Sequence, residues 1–358
     1  MWGNYIMRLL SRLLVGLSAA IFCVLSASAG TFEYLEDFKS GANDWVDFDR
    51  NAVQYKTTGG RAGGDGKYIR VTKNIVTDPN NSFGSGLIEF RCEVAPSQAP
   101  SLNCSKGVFA GNYVKMKTLQ LRYWFRHSSA NYLKAYIRIP TPANTPGASA
   151  IMQWIAPNTW TEVVLDIDPS NPYWEQQFGG SDYNTIISNV GRLQPGVYFG
   201  VGVTYSENSV NFDIDDVRIT GTAIDAVANV EGVLTKNGPI HPHHDGSVAS
   251  PNQINDLIPV TVYGASTGVG DPANLNANNI VPASLRFARN FAPVAPGQTP
   301  QFVDDDNDGL TDARFKFRTG STGLTCTDTS TTIDGRLTTG EVFVDTDSYT
   351  KDCNATCH

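Results

Sequence analysis

The chain has 358 residues, of which 41% are hydrophobic, 10% aromatic and only 17% charged. This composition excludes a disordered chain, and the length is typical of two domains. With 27 basic and 35 acidic residues the net charge is −8, which disfavours nucleic acid or an anionic membrane as partner.

Residues 1–29 have the features of a secretory signal peptide. Arg8 and Arg12 precede an apolar run, and Ala27-Ser28-Ala29 forms an A-x-A cleavage site. Cleavage before Gly30 would leave 25 basic and 35 acidic residues, a net charge of −10. No later apolar run reaches the about 20 residues of a membrane span. We therefore expect a secreted protein without membrane insertion, located outside the cell or on its surface, with the periplasm as the alternative.

Alternating polar and apolar residues predict β-strands along the first two thirds of the chain. The run 119–126 alternates in this way, and a second alternating run, 133–139, follows after a short polar segment. Two such runs so close together predict a β-hairpin. Further strands are predicted at 163–167, 197–203 and 210–219, and no stretch has a helical period. The sequence therefore predicts an all-β fold.

Three segments of this part resemble secreted β-jelly rolls, a group that includes carbohydrate-binding modules and laminin-B-like domains. They are residues 32–45, 58–69 and 212–219. The resemblance implies a jelly-roll sandwich over residues 30–222 that binds a polysaccharide or a cell-surface glycan.

The remaining residues, 223–358, are similar to a short module of bacterial secreted proteins that has no assigned activity. The similarity lies in residues 258–264, 282–287 and 304–317. It implies a second, smaller β-sandwich. A change in composition agrees with a boundary near residue 222, because every tryptophan precedes residue 175 whereas four of the five histidines follow residue 240.

An aspartate-rich loop, residues 304–312, has the spacing of a calcium-binding loop. Carboxylates at positions 1, 3, 5 and 9, a glycine at position 6 and a carbonyl at position 7 can surround Ca²⁺. Position 12 is Phe315 rather than the glutamate of an EF-hand, so the loop resembles the shorter loops of dockerins and thrombospondin-type repeats. The alternative is an acidic surface turn. The predicted ligands are Asp304, Asp306, Asp308, Leu310 and Asp312.

A change of parity marks the last strand of the predicted jelly roll. Val210, Phe212 and Ile214 share one face, whereas Val217 and Ile219 have the opposite parity. Either a β-bulge lies at residues 215–216 or Asp216 points inward. The jelly rolls that this part resembles often hold structural calcium where the last strand meets the first. That resemblance gives a second candidate calcium site, formed by Asp216 with Glu36 or Asp37.

The polar face of the predicted hairpin is a candidate sugar-binding platform. An aromatic ring stacks on sugar C–H groups while cations and amides bind the hydroxyls. Arginines in such a platform would also suit an acidic polysaccharide. The alternative is a cross-strand aromatic pair under a covering loop. Trp154 and Trp174, placed in or near loops, are weaker candidates. The platform would comprise Arg122, Trp124, Arg126, Tyr136 and Arg138.

Five cysteines follow the predicted signal peptide. In an oxidising compartment Cys92 would pair with Cys104 and Cys326 with Cys353. Cys357 would then be free, would replace Cys353 in its disulfide, or would link two copies of the chain as a disulfide-bonded homodimer. The terminal Cys353-x-x-x-Cys357-His358 is one residue longer than a haem c signature, and we disfavour haem there.

Two common enzyme signatures do not occur in the sequence, since there is no H-E-x-x-H and no P-loop. We predict a secreted, non-catalytic binding or adhesion protein that recognises glycans and is stabilised by calcium. Two alternatives stay open. One is a structural surface or matrix protein cross-linked through Cys357, and the other is a polysaccharide lyase or hydrolase.

Overall fold

The computed structural model describes residues 30–76, 87–93, 104–199, 205–226, 228–229, 257–269, 271, 273–324 and 328–348. Several predictions concern residues outside these ranges. They are the signal peptide of residues 1–29, the Cys326–Cys353 disulfide, and the roles considered for Cys357 and His358.

Six strands form the first sheet of the N-terminal part. They are β1 (Gly30–Glu36), β3 (Gln54–Lys56), β4 (Tyr68–Val76), β6 (Thr118–His127), β9 (Thr161–Asp166) and β12 (Ser206–Asp225). The long central strand β12 pairs with β4 and then β1 along one edge and with β6 along the other, while β3 extends β4 and β9 extends β6, all antiparallel.

Six further strands form the second sheet. Its order is β10 (Trp174–Phe178), β8 (Gly147–Ile155), β7 (Leu133–Pro140), β11 (Arg192–Tyr198), β5 (Leu87–Glu93) and β2 (Val46–Asp47).

The two sheets pack face to face because each strand turns its apolar residues to one side. On β6 the inward residues Leu121, Tyr123 and Phe125 are fully buried, as are Ala135 and Ile137 on β7. The outward residues of these strands are mostly polar. This arrangement is the predicted jelly-roll sandwich, and the fold is all-β.

The predicted Cys92–Cys104 disulfide is confirmed, with a Cα–Cα distance of 5.1 Å. Both cysteines lie in the core of the sandwich. The disulfide joins β5 to the short 3₁₀ turn Cys104–Gly107, where Ser105 accepts a hydrogen bond from the indole of the buried Trp45.

The predicted hairpin of β6 and β7 is wrong. β6 pairs with β12 and β9, whereas β7 pairs with β8 and β11, so residues 128–132 carry the chain from the first sheet to the second. The Tyr123 hydroxyl donates to the Tyr136 carbonyl at 2.9 Å across the sandwich. Alternation predicts which residues of a strand point inward, but it holds no information about the strand's partner.

The C-terminal part is a smaller sandwich around its own core. One sheet has the order β13 (Ala228–Asn229), β14 (Leu257–Val262), β17 (Asp312–Arg318) and β16 (Gln301–Val303). The other contains β15 (Arg286–Phe287), β18 (Ser330–Arg336) and β19 (Val342–Ser348). Val260, Phe287, Phe315 and Phe317 lie in its core.

The two sandwiches touch. β19 pairs in parallel with the last two residues of β12, so the predicted boundary at residue 222 lies within a strand that continues to Asp225. The Arg336 guanidinium donates to the carbonyls of Val108 and Ala110, at 2.6 Å each. Arg286 lies 3.6 Å from the ring centre of Tyr34.

Helices are few and short. The structure contains α1 (Tyr183–Ile187), α2 (Thr319–Thr322) and the 3₁₀ turns Ala277–Asn279 and Pro282–Ser284 besides the one after the disulfide. The described residues contain no helix with the length and apolar character of a membrane span.

Candidate functional site

The residues of the predicted sugar platform lie on opposite sides of the sandwich. Arg122, Trp124 and Arg126 point outward from β6 on the first sheet, and Tyr136 and Arg138 point outward from β7 on the second. Because the two sheets and the core between them separate these faces, no single sugar can contact both Trp124 and Tyr136. The structure therefore does not form the predicted platform, since its two strands belong to different sheets.

The outer side of the first sheet, called here the first-sheet face, is a network of ion pairs. Arg61 lies over the Trp124 ring at 5.3 Å, which leaves that indole partly covered. Each arginine of this face meets a carboxylate. The pairs are Arg61–Asp216, Arg70–Asp213, Arg126–Asp213, Arg122–Glu162 and Arg218–Glu33.

The parity change in β12 is a β-bulge. The register with β6 shifts between Asp215 and Arg218, and Asp216 has a left-handed φ of 46°. Asp216 pairs with Arg61 and with Arg218. The adjacent Asp215 is only 2% exposed and accepts a hydrogen bond from the Asp216 main-chain nitrogen at 2.8 Å. Burial, with the Asp216 charge beside it, raises the pKa of Asp215 to about 7.

The second candidate calcium site is not assembled by the described carboxylates. Glu36 accepts hydrogen bonds from Phe38, Asn43 and Ser105, while Asp37 pairs with Lys39 at 2.6 Å. Burial raises the pKa of Glu36 despite these three donors. Asp216 is bound to arginines on the bulge instead, and calcium at this place stays a prediction.

The aspartate-rich loop brings three of its carboxylates together. Oxygens of Asp304, Asp306 and Asp312 lie within 4.8 Å of one another, and Asp312 is fully buried at the start of β17. Asp308 is not in this group, and its carboxylate accepts from the Leu310 nitrogen at 2.7 Å. Three convergent carboxylates fit the oxygen preference of Ca²⁺. Calcium binding by the loop stays a prediction.

The outer side of the second sheet, called here the second-sheet face, has a different character. Residues paired across antiparallel strands point to the same side, so the register defines rows of neighbouring side chains. Three rows cross β8, β7, β11 and β5. In order they are Trp154, Lys134 and Tyr198, then Ile151, Tyr136, Gly196 and Glu89, then Ser149, Arg138 and Gln194.

An exposed indole lies at one end of this face. Trp154 is 58% exposed, and the Lys134 ammonium lies 5.4 Å from the centre of its ring. In the next row Tyr136 is buried, with 1% exposure, and Gly196 places no side chain between Tyr136 and Glu89. The face thus combines an accessible ring and an ammonium with a middle row in which Tyr136 and Glu89 are buried.

Arginines and amides form a linked polar layer at the other end. Arg138 donates to the Gln194 side-chain oxygen and to Asn144, both at 2.9 Å. Arg192 donates to the same Asn144 oxygen at 3.2 Å and to Glu93 at 3.1 Å. Because Asn144 joins both arginines, the loop after β7 fixes their positions over the sheet.

Some donors of this layer have no acceptor among the described residues. Gln194 is fully buried, yet its Nε2 has no such partner, and neither do the Nε atoms of Arg91 and Arg192. A buried donor without an acceptor costs about 1–3 kcal/mol unless a water or a ligand supplies the oxygen. The layer therefore has free capacity for oxygen acceptors.

Burial shifts the pKa of several ionisable groups of this layer. It lowers the pKa of Arg138 and of Arg192, and nearby arginines lower the pKa of Arg192 further. Burial raises the pKa of Glu89, against the opposing charge of Arg91. The layer is a low-dielectric, cation-rich environment.

Sequence reasoning missed most of this face. Trp154 was expected in or near a loop, but it lies in β8, and Glu89, Arg91 and Gln194 were not singled out. The alternation of charged and apolar residues in 87–93 was a usable signal, since Glu89 and Arg91 flank the core residue Phe90.

Comparisons with known proteins give distant structural likenesses. No protein-family model and no curated protein matches the sequence. A family 11 carbohydrate-binding module of a Clostridium thermocellum cellulosomal cellulase is 16% identical, with a TM-score of 0.31, over 53% of this chain and 95% of that chain. The C-terminal family 22 carbohydrate-binding module of a C. thermocellum xylanase is 12% identical, with a TM-score of 0.31, over 55% and 96%. An exo-β-agarase is 10% identical, with a TM-score of 0.34, over 51% of this chain and 24% of that chain. Likenesses of this size assign neither a ligand nor a role to any residue.

Proposed function

We propose that this protein is a secreted, non-catalytic glycan-binding protein and that the second-sheet face is its binding surface. The observation that carries the proposal is the exposed Trp154 ring on the same face as a buried layer with free donors on Gln194. A ring stacks on the C–H face of a sugar, and amide or guanidinium N–H groups donate to its oxygens. Export rests on the signal-peptide pattern of residues 1–29.

The first-sheet face supports this role less well. Its indole, Trp124, is partly covered by Arg61, whose guanidinium pairs with Asp216. A sugar that stacks on Trp124 would have to displace Arg61 from that ion pair, which costs part of its binding free energy.

A non-catalytic role is supported by the state of the acids on the second-sheet face. Glu89 lies 3.4 Å from Arg91, and Glu93 contacts Arg192. Glycoside hydrolysis uses two carboxyl groups that face the bond to be cut, one of them as an acid. Carboxylates engaged by arginines are poorly placed for that chemistry.

The proposal is tested by measuring glycan binding of three proteins: the parent chain, Trp154→Ala and Trp124→Ala. Loss of the exposed ring should weaken binding about tenfold, the value of one well-formed stacking contact. Trp124→Ala removes an indole of equal size from the opposite side and should bind like the parent. Equal losses in both variants, or a loss in Trp124→Ala alone, would contradict the assignment of the face.

We also propose that the aspartate-rich loop binds Ca²⁺ and that the ion has a structural role. Support comes from the convergent oxygens of Asp304, Asp306 and Asp312, of which the last is fully buried and accepts from the main-chain nitrogens of Gly264 and Asp305. Like charges at this distance repel one another unless a cation is shared. Calcium should raise the melting temperature of EDTA-treated protein, and equal melting curves would contradict the proposal.

A further inference from the structure

Among the described residues, cations outnumber carboxylates on the second-sheet face, although the protein as a whole is acidic. Arg50, Arg91 and Arg192 pair with the two carboxylates Glu89 and Glu93, and Lys134 lies over the Trp154 ring. Arg138 adds a further guanidinium, whose charge interacts with Glu89. Lys134 has no ion-pair partner within the described part of the chain.

On the opposite side of the same sandwich, positive and negative side chains are paired. On the first-sheet face, Asp213 binds both Arg70 and Arg126, and Arg122 and Arg218 each reach a glutamate. The two faces belong to one domain and experience the same solvent. Within the described ranges, the excess of cations is therefore a local property of the second-sheet face.

Shared acceptors hold the guanidinium groups of this face close together. Arg91 and Arg192 lie 3.8 Å and 3.1 Å from the same Glu93 oxygen, while Arg50 approaches the other oxygen at 3.3 Å. The Glu93 carboxylate is thus shared by three guanidinium groups. Burial lowers the pKa of Arg192, Glu93 raises it, and the charges of Arg50 and Arg91 lower it further.

We propose that the second-sheet face selects anionic polysaccharides, those with carboxylate or sulfate groups on their sugars, over neutral ones. This inference rests on the proposed glycan-binding function. Sugar rings would stack on Trp154, and their acidic groups would pair with Lys134 and with the cluster of Arg50, Arg91 and Arg192. Guanidinium groups match the planar oxygens of such anions in paired hydrogen bonds. A bound anion also relieves the repulsion between the crowded cations.

The test uses four polymers as probes: polygalacturonate for carboxylate groups, dextran sulfate for sulfate groups, and xylan and mixed-linkage β-glucan as neutral polymers. Binding is measured by affinity electrophoresis and calorimetry at low and high salt. We expect the parent chain to prefer at least one anionic polymer, and salt to weaken this binding. The response to polygalacturonate and dextran sulfate identifies which acidic group is recognised.

Variants that each remove one positive charge distinguish binding at a defined site from general electrostatic attraction. Lys134→Gln and Arg50→Gln each remove one cation of the face, and Arg50 is exposed enough, at 62%, for its loss to leave the fold intact. Each should weaken binding of the anionic polymer about tenfold, the effect of one charge-assisted contact. Arg122→Gln removes an equal charge from the first-sheet face and should bind like the parent.

Three results would overturn the inference. Equal or tighter binding of a neutral polymer, lost in Trp154→Ala and insensitive to salt, would refute anionic selectivity while supporting glycan binding. Equal weakening by Arg122→Gln would show general charge attraction. Absence of binding to all four polymers would contradict both this inference and the proposed function.

Discussion

Asp215 should make the stability of the protein fall as the pH rises from about 4 to about 7. The group is buried at the bulge of β12 beside Asp216, and its pKa is raised from 3.8 to about 7. Between these values the unfolded chain has released a proton that the folded chain still holds. The stability that this proton provides is fully present below about pH 4 and is lost by about pH 7.

Replacing Asp215 by asparagine should remove this pH-dependent loss of stability. A difference of about 3 in pKa, at about 1.4 kcal/mol for each pKa unit, gives ~4 kcal/mol as an upper bound at neutral pH, because water and salt at the sheet surface screen part of the effect. The amide oxygen of asparagine can still accept the hydrogen bond from the Asp216 nitrogen. At about pH 8 we expect the melting temperature of the variant to exceed that of the parent by roughly 5–10 °C.

Thermal unfolding monitored by circular dichroism at a series of pH values provides the measurement. The difference between Asp215→Asn and the parent should vanish near pH 4 and grow toward pH 7. Asp225→Asn, at an exposed aspartate of the same strand, is the matched control. A difference that stays constant with pH, or that favours the parent at high pH, would refute the reasoning.

The other expected outcomes concern stability. Asp304→Asn should abolish the stabilisation by calcium, whereas Asp308→Asn, outside the carboxylate cluster, should keep most of it; equal effects in a calcium titration of the melting temperature would contradict this assignment. Arg336→Ala should lower the free energy of unfolding by about 3 kcal/mol in a urea titration, because two main-chain carbonyls of the first sandwich lose a charged donor. Removing the disulfide by replacing Cys92 and Cys104 with alanine should cost about 3 kcal/mol by the same titration, given the 12-residue separation, and an unchanged urea midpoint would oppose that value.

Local sequence patterns predicted four strands, β6, β7, β9 and β12, close to where the structure has them, whereas the predicted strand 197–203 coincides with β11 only at residues 197–198. The alternation in 119–126 and 133–139 gave the inward residues of β6 and β7. The parity change after Ile214 indicated either a β-bulge or an inward Asp216, and the structure has the β-bulge. These features depend only on the two-residue repeat of a strand. They can be derived without knowledge of the partner strands.

The grouping of residues on the proposed binding face cannot be derived from the alternation of polar and apolar residues. Trp154, Lys134 and Tyr198 become neighbours only because β8, β7 and β11 lie side by side, and these strands are up to 64 residues apart at Lys134 and Tyr198. The incorrect hairpin placed Trp124 beside Tyr136. It therefore grouped Arg122 and Arg126 of β6 with Arg138 of β7, although these strands lie in different sheets. Pairing between distant strands is set by packing of the whole core, so single-sequence reasoning could name the residue types of a glycan site but not their grouping.

Glycan binding by the parent chain, Trp154→Ala and Trp124→Ala, measured side by side on the same polysaccharide, tests the central claim most directly. Binding that is about tenfold weaker in Trp154→Ala and unchanged in Trp124→Ala is the result we predict. Binding that depends on Trp124 and not on Trp154 would contradict the claim that the second-sheet face holds the glycan.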